Sequence, residues 1–164
     1  MKITTIVLLV IMFLGNTADE PAIKPEELMS LTAKHWKGTL SYLDYSSNKE
    51  VNIPVNLNVI QSETELDNWY FIYEYPDEPH ANGTDTITVN DKGRKLNNET
   101  VSENHYTNDT VFTFTTMRSG EDNDKKAELK HVYILDGSTF IIRKEVKYEG
   151  ENEFFVRNEY KFKK

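Results

Sequence analysis

The chain of 164 residues contains no cysteine. That absence removes disulfide bridges, structural zinc–thiolate sites, thiol nucleophiles and lipid attachment through an N-terminal cysteine. Cations are also short: 19 Lys and Arg stand against 27 Asp and Glu, a formal charge of −8 at pH 7. Nucleic acid and anionic membrane surfaces both repel such a chain, so neither is expected as a partner. The four histidines, His35, His80, His105 and His131, never fall at metal-ligand spacing, whereas zinc sites normally include a local pair. The acidic stretch GEDNDKK at 120–126 lacks the alternate-residue acids and downstream bidentate glutamate of a calcium loop, and reads as a solvated hairpin tip. No nucleophile elbow, triad order or phosphate-binding glycine loop is recognisable. The sequence therefore offers no catalytic residue, no metal site and no cofactor to name.

Long hydrophobic runs are missing too. The one apolar run, 3–14, falls short of the roughly twenty residues that a membrane-spanning helix needs. It follows Lys2 and precedes the small or polar residues 15–18 and the acids Asp19 and Glu20. A cation, a short apolar centre and a small-residue exit describe a secretory signal peptide. On this reading residues 1–18 are the signal peptide, cleavage follows Ala18, and the protein is secreted or periplasmic with no stable membrane insertion afterwards. Residues 19–35 contain two prolines and a short helical pattern at 26–33, and read as a tether ending in one or two helical turns.

What is present from residue 36 onward is alternation. VNIPVNLNV sets Val51, Ile53, Val55, Leu57 and Val59 on one face and Asn52, Pro54, Asn56 and Asn58 on the other, the period of a strand wet on one side. Pro54 cannot donate a ladder hydrogen bond, so a bulge or an open edge is expected there. WYFIYEY aligns Trp69, Phe71, Tyr73 and Tyr75, and FIIRKEVKY aligns Phe140, Ile142, Val146 and Tyr148 with Lys144 among them. In FFVRNEYKF the same alternation puts Phe154, Val156, Tyr160 and Phe162 inside, together with Asn158, and turns Arg157 outward. TDTITVN, TVFTFTTM and AELKHVYIL are shorter candidates, the last aligning Leu129, His131, Tyr133 and Leu135. Between the runs, SSNKE, NDKG, LDGS and EGEN supply the Asn, Asp and Gly that tight hairpins need. The pattern predicts an all-β domain over 36–164, an antiparallel up-and-down barrel of about eight to ten strands that protects its edges by closure.

Trp36 opens the first strand, with Gly38 on the same face. A bulky ring at the narrow end, followed by a residue with no side chain, lets a barrel close without overfilling; both residues are read as structural. A tryptophan at this position, with glycine nearby and a helical turn before it, resembles the lipocalins and the wider calycin superfamily. That resemblance implies a barrel whose tryptophan plugs the closed end and is crossed by a basic residue from near the last strand. Arg157 is the candidate for that partner. The family's glycine precedes its tryptophan, whereas here it follows.

The expected function is that of a secreted lipocalin-like binding protein for a small hydrophobic or amphipathic ligand. Tyr73, Tyr75, His131, Tyr133 and Asn158 are the candidate ligand-binding residues, because each carries a polar end on an otherwise apolar face. His131 could meet a polar ligand or an iron porphyrin, although a hydrogen-bonded buried histidine is the commoner outcome. YPDEPHANGTD, between two strands, is long enough to gate a barrel mouth or simply to form a rigid loop. The alternatives are a barrel enzyme acting on a bound hydrophobic substrate, and a structural or adhesive protein with a filled interior. Asn82, Asn98 and Asn108 each begin an Asn-x-Thr sequon, which marks exposed loops in hosts that N-glycosylate. Exported protein is expected to begin at or near Asp19, which N-terminal sequencing reads directly; a start at Met1 would contradict the leader.

Overall fold

The computed structural model describes residues 20–164; the signal-peptide reading and its cleavage site lie outside the described residues. Ten antiparallel strands follow one short helix, α1 (Pro25–Met29): β1 (Trp36–Asp44), β2 (Lys49–Gln61), β3 (Asn68–Glu74), β4 (Gly83–Asn90), β5 (Lys95–Leu96), β6 (Glu99–Thr107), β7 (Val111–Asp122), β8 (Lys125–Leu135), β9 (Thr139–Tyr148) and β10 (Phe155–Lys163). Each strand pairs with its sequence neighbours, and β1 also pairs with β10, so the sheet closes into an up-and-down barrel. The all-β barrel read from alternation is the fold.

Turn chemistry explains the local connections. Asn123 and Asp124 both adopt positive φ, 49° and 59°, as a two-residue hairpin between β7 and β8 requires. The 120–126 stretch is therefore a hairpin. Asn108 and Asp109 do the same between β6 and β7, with φ of 52° and 56°. At the start of the chain, Pro25 begins α1 and the Lys24 backbone N–H donates to Glu27 Oε2 at 2.7 Å, half of a capping box. The helix is shorter than the pattern over 26–33 suggests: from residue 30 the chain tightens into turns, with Leu31 N–H donating to the Leu28 carbonyl and Thr32 N–H to that of Met29, and Ala33 at φ 54° ends the helical path.

The Trp36 end of the barrel is plugged. Trp36 is 1 % exposed, donates its Nε1–H to the Leu31 carbonyl at 3.0 Å, and tilts against Phe140 with ring centroids 6.1 Å apart. Ile23, Leu28 and Leu31 from the N-terminal segment join the same core as Leu57, Trp69, Phe114 and Phe162. Backbone contact fixes that segment: the Ile23 N–H donates to the Gly93 carbonyl at 2.9 Å, and a Cβ on Gly93, φ +87°, would lie 2.1 Å from the Ile23 oxygen. The cation over Trp36 is Lys34, with Nζ 5.2 Å from the ring centroid, and not Arg157.

Gly38 has a sharper role than space-saving. It faces Phe162 across the β1–β10 ladder, and a Cβ there would lie 2.2 Å from the Lys161 carbonyl oxygen and 2.9 Å from Phe162 Cα. Glycine lets the first and last strands approach closely enough to close the ring.

Two expectations about β10 are corrected. A bulge between Val156 and Asn158 resets the alternation, so Phe155 packs inward beside Leu129 and Val146 while Val156 is 51 % exposed. Phe154 lies away from the interior beneath Lys130 and Lys147, whose Nζ atoms are 4.6 and 5.1 Å from its ring centroid. Arg157, at the bulge, is drawn in at the far end from Trp36. Its guanidinium stacks 4.1 Å from the Tyr45 ring and donates to the Leu43 carbonyl. Pro54 conforms to the open-edge alternative: β2 pairs with β3 only from Asn56 onward.

Truncating a buried tryptophan costs about 3–5 kcal/mol, against a total of about 5–15 for a domain. Trp36→Ala is therefore expected to lower the urea midpoint steeply or abolish folding. Gly38→Ala, which strikes backbone, is expected to cost at least about 1–3 kcal/mol. A near-native midpoint for both variants would remove the plug and the seam from the account.

Candidate functional site

The barrel wall is uneven. β5 is two residues long, joined to β4 at Val89 and Asn90 and to β6 at Glu99 and Thr100. β6 pairs with β7 only as far as Met117. Beyond that level, residues 83–87 of β4 and 118–122 of β7 have ladder partners on one side only. The interior next to this step in the wall is not filled.

A cavity of about 170 Å³ occupies it, lined by Phe71 and Tyr73 (β3), Asp85 and Ile87 (β4), His131 and Tyr133 (β8), Ile142 and Lys144 (β9), and Asn158 and Tyr160 (β10). Inward alternation on five strands brings these residues together across the barrel. Tyr73, His131, Tyr133 and Asn158 thus line one space. Tyr75 does not; it stands behind the wall, its hydroxyl 3.0 Å from that of Tyr160. The 75–82 loop is tied down: the Tyr75 N–H donates to Asn82 Oδ1 at 2.7 Å and the Ala81 N–H to the Glu78 carbonyl at 2.8 Å. None of its residues lines the cavity, whose Asp85 belongs to β4.

Sequence reasoning did not single out Asp85, Ile87, Ile142 or Tyr160 as site residues. Asp85 carried a usable signal, since in TDTITVN it shares a face with Ile87 and Val89, as Lys144 does with Ile142 and Val146. It also missed Glu99, because β6 has one buried residue, Val101, and a bulge between Val101 and Glu103, which leave no alternation to read.

Most interior polar groups are satisfied by one another. Glu99 accepts from Thr116 Oγ1 at 2.5 Å and Arg118 Nε at 3.1 Å, and its Oε2 lies 2.8 Å from His131 Nδ1. His131 is therefore hydrogen-bonded through Nδ1 while its ring lines the cavity. Lys144, midway along β9, donates to Asp122 at 2.9 Å. Asp122 also accepts from Tyr45 at 2.5 Å and Tyr148 at 3.2 Å and lies 3.8 Å from Arg157. This network joins the β1–β2 turn to β7, β9 and β10 at the end opposite Trp36.

Charge states follow from these partners. Burial works against ionisation of Glu99, but hydrogen bonds from His131 and Thr116 outweigh it and hold the carboxyl below its ordinary range. Asp122 is likewise opposed by burial and is held low by Tyr45 and Lys144. Burial, foremost, pushes the Tyr73, Tyr133 and Tyr160 hydroxyls well above the usual phenol range. Near neutral pH the cavity thus presents neutral hydroxyls, able to donate and accept hydrogen bonds without exchanging a proton.

Among the described residues two buried side-chain polar atoms lack any hydrogen-bond partner, Trp69 Nε1 and Asn158 Oδ1; only Asn158 lines the cavity. No group of three or more His, Asp or Glu suited to a metal ion occurs among the described residues, and no helix there is long and apolar enough to cross a membrane. A larger depression of about 660 Å³ lies at the hairpin tips formed by 119–121, 126–128 and 147–151. It is an open surface crossed by the Lys147–Glu128 ion pair at 2.5 Å, and is a poorer enclosure than the barrel interior. No protein-family model matches the chain, and no curated protein is significantly similar to it.

Both depressed carboxyl pKa values lie below their unfolded-state values. Their contribution to stability is complete above the unfolded range, about pH 4, and is lost as pH falls through the folded values. The urea midpoint is expected to drop as pH falls below about 4, and less steeply in Asp122→Asn and Glu99→Gln. An acid profile identical in all three proteins would contradict these charge assignments.

Proposed function

We propose that the chain is a secreted, lipocalin-like binding protein whose barrel takes up one small, partly hydrophobic ligand. The observation that carries this reading is the interior cavity of about 170 Å³, an aromatic and aliphatic wall into which Asp85, His131, Lys144 and Asn158 converge. A mostly apolar, concave space with a few placed polar groups is the usual form of a small-molecule site. Such sites commonly span about 300–1,000 Å³, so a fatty acyl chain or a porphyrin is too large for this one, and the ligand is compact. The step in the wall beside β5 gives the cavity a route to solvent that avoids the Trp36 end.

The lipocalin likeness is supported by the up-and-down ring, the plugging tryptophan and the helical turn before it. Ten strands, a glycine after the tryptophan, and a cation drawn from Lys34 are points of difference. The tyrosines bear on the enzyme alternative: with their pKa values raised and that of Glu99 lowered, none is poised to transfer a proton near neutral pH.

Native mass spectrometry of the secreted protein is expected to show one small molecule retained per chain. His131→Ala and Tyr133→Phe are expected to weaken that ligand, by about three- to tenfold for loss of one net hydrogen bond, with folding retained. Unchanged affinity in both would move the site elsewhere; the absence of any bound or bindable small molecule would favour a filled, structural barrel.

A further inference from the structure

We infer that the ligand of the barrel cavity is a single-ring aromatic molecule carrying an ammonium group or a similar cationic hydrogen-bond donor. The inference rests on the binding reading above and adds a ligand class to it. Size is the first constraint. A cavity of about 150 Å³ accommodates a benzene ring, and the space here is about 170 Å³, enough for one ring and a short substituent but not for two fused rings.

The wall is the second constraint. Tyr73 and Tyr160 lie 5.2 Å apart between centroids, and Tyr133 stacks on Phe114 at 4.4 Å. Of these rings Tyr73, Tyr133 and Tyr160 line the cavity; they offer faces and edges to an aromatic guest, and such faces attract a cation.

The third constraint is which polar groups remain free. Three of the lining groups already have partners: Lys144 with Asp122 at 2.9 Å, His131 Nδ1 with Glu99 at 2.8 Å, and Tyr160 with Tyr75 at 3.0 Å. The Tyr73 and Tyr133 hydroxyls that also line the cavity can donate or accept, whereas two further groups there can only accept. Asn158 Oδ1 is buried without a partner, and no hydrogen bond or ion pair engages the Asp85 carboxylate among the described residues. A buried acceptor without a donor is costly, and a ligand N–H removes that cost. Asp85 is solvent-exposed on β4 while lining the cavity, so a cation beside it keeps part of its hydration as the ring enters. The chain's formal charge of −8 draws cations toward the site and repels anions.

Isothermal titration of the secreted protein with benzylamine, toluene, benzoate and 1-naphthylmethylamine tests this. Benzylamine is expected to bind about tenfold more tightly than toluene or benzoate, the scale of one charge-assisted hydrogen bond. The naphthyl amine is expected not to bind. Asp85→Asn should weaken benzylamine by about tenfold and leave toluene unchanged, which shows that the variant remains folded with its cavity intact. Toluene or benzoate binding as tightly as benzylamine, or an Asp85→Asn protein with full benzylamine affinity, would overturn the cationic class while leaving a binding cavity. Equal binding of the naphthyl amine would overturn the single-ring limit. No binding by any of the four would overturn both this inference and the function on which it rests.

Discussion

The ladder between β1 and β10 is the contact on which the rest of the structure depends. It joins residues 37–42 to 158–163, so the ends of the domain must meet before the ring exists. Contacts so distant in sequence carry a large loop-closure entropy. Without them, two long strands would present unpaired edges to solvent, the aggregation hazard that closed barrels avoid. The seam leaves no room for a side chain at position 38. Gly38 sits where a Cβ would strike the Lys161 carbonyl, and two residues earlier Trp36 fills the end of the ring that this close approach creates. The tryptophan and the glycine are parts of one closure, the glycine allowing the strands to meet and the indole excluding water beneath them.

That closure divides the interior. Toward Trp36 the core is aromatic and aliphatic and takes in Ile23, Leu28 and Leu31 from outside the barrel. Toward the far end, the carboxylates of Asp122 and Glu99 gather hydroxyls and cations from several strands. Between these regions, beside the step in the wall left by the two-residue β5, packing is incomplete. Among the groups facing the resulting cavity, one buried polar atom, Asn158 Oδ1, has not been given a partner by the fold. A barrel selected only for stability would be expected to pair or replace such a group, because an unpaired buried polar atom costs free energy that a hydrophobic side chain does not.

Much of the fold was legible in the sequence because one-sided strands write their burial as a period of two. Val55, Leu57 and Val59, or Phe140 and Phe162, are where alternation puts them. The reading failed where the period breaks. β6 buries only Val101 and bulges directly after it, so the strand is invisible to a pattern of apolar residues. The bulge at Arg157 reverses the faces of what precedes it, which displaced Phe154 and Val156, because a bulge depends on the partner strand and not on local composition. At the site, the polar residues sharing apolar faces were visible one strand at a time. Which of them face the same cavity was not, since that depends on register across five strands; hence Tyr75 was included and Asp85 was not. The pairings that satisfy His131 and Lys144 were hidden for the same reason, their partners Glu99 and Asp122 lying on other strands.

Native-state hydrogen exchange tests the closed ring most directly. If β1 and β10 form one seam with the rest of the barrel, their paired amides open only when the whole domain unfolds. Their protection should then match that of the central β8 amides and fall in parallel with them as urea is added. Amides of β1 and β10 that exchange markedly faster than those of β8, with a denaturant dependence of their own, would show a sheet that opens at this seam, and would contradict the closure from which the plugged end and the cavity both follow.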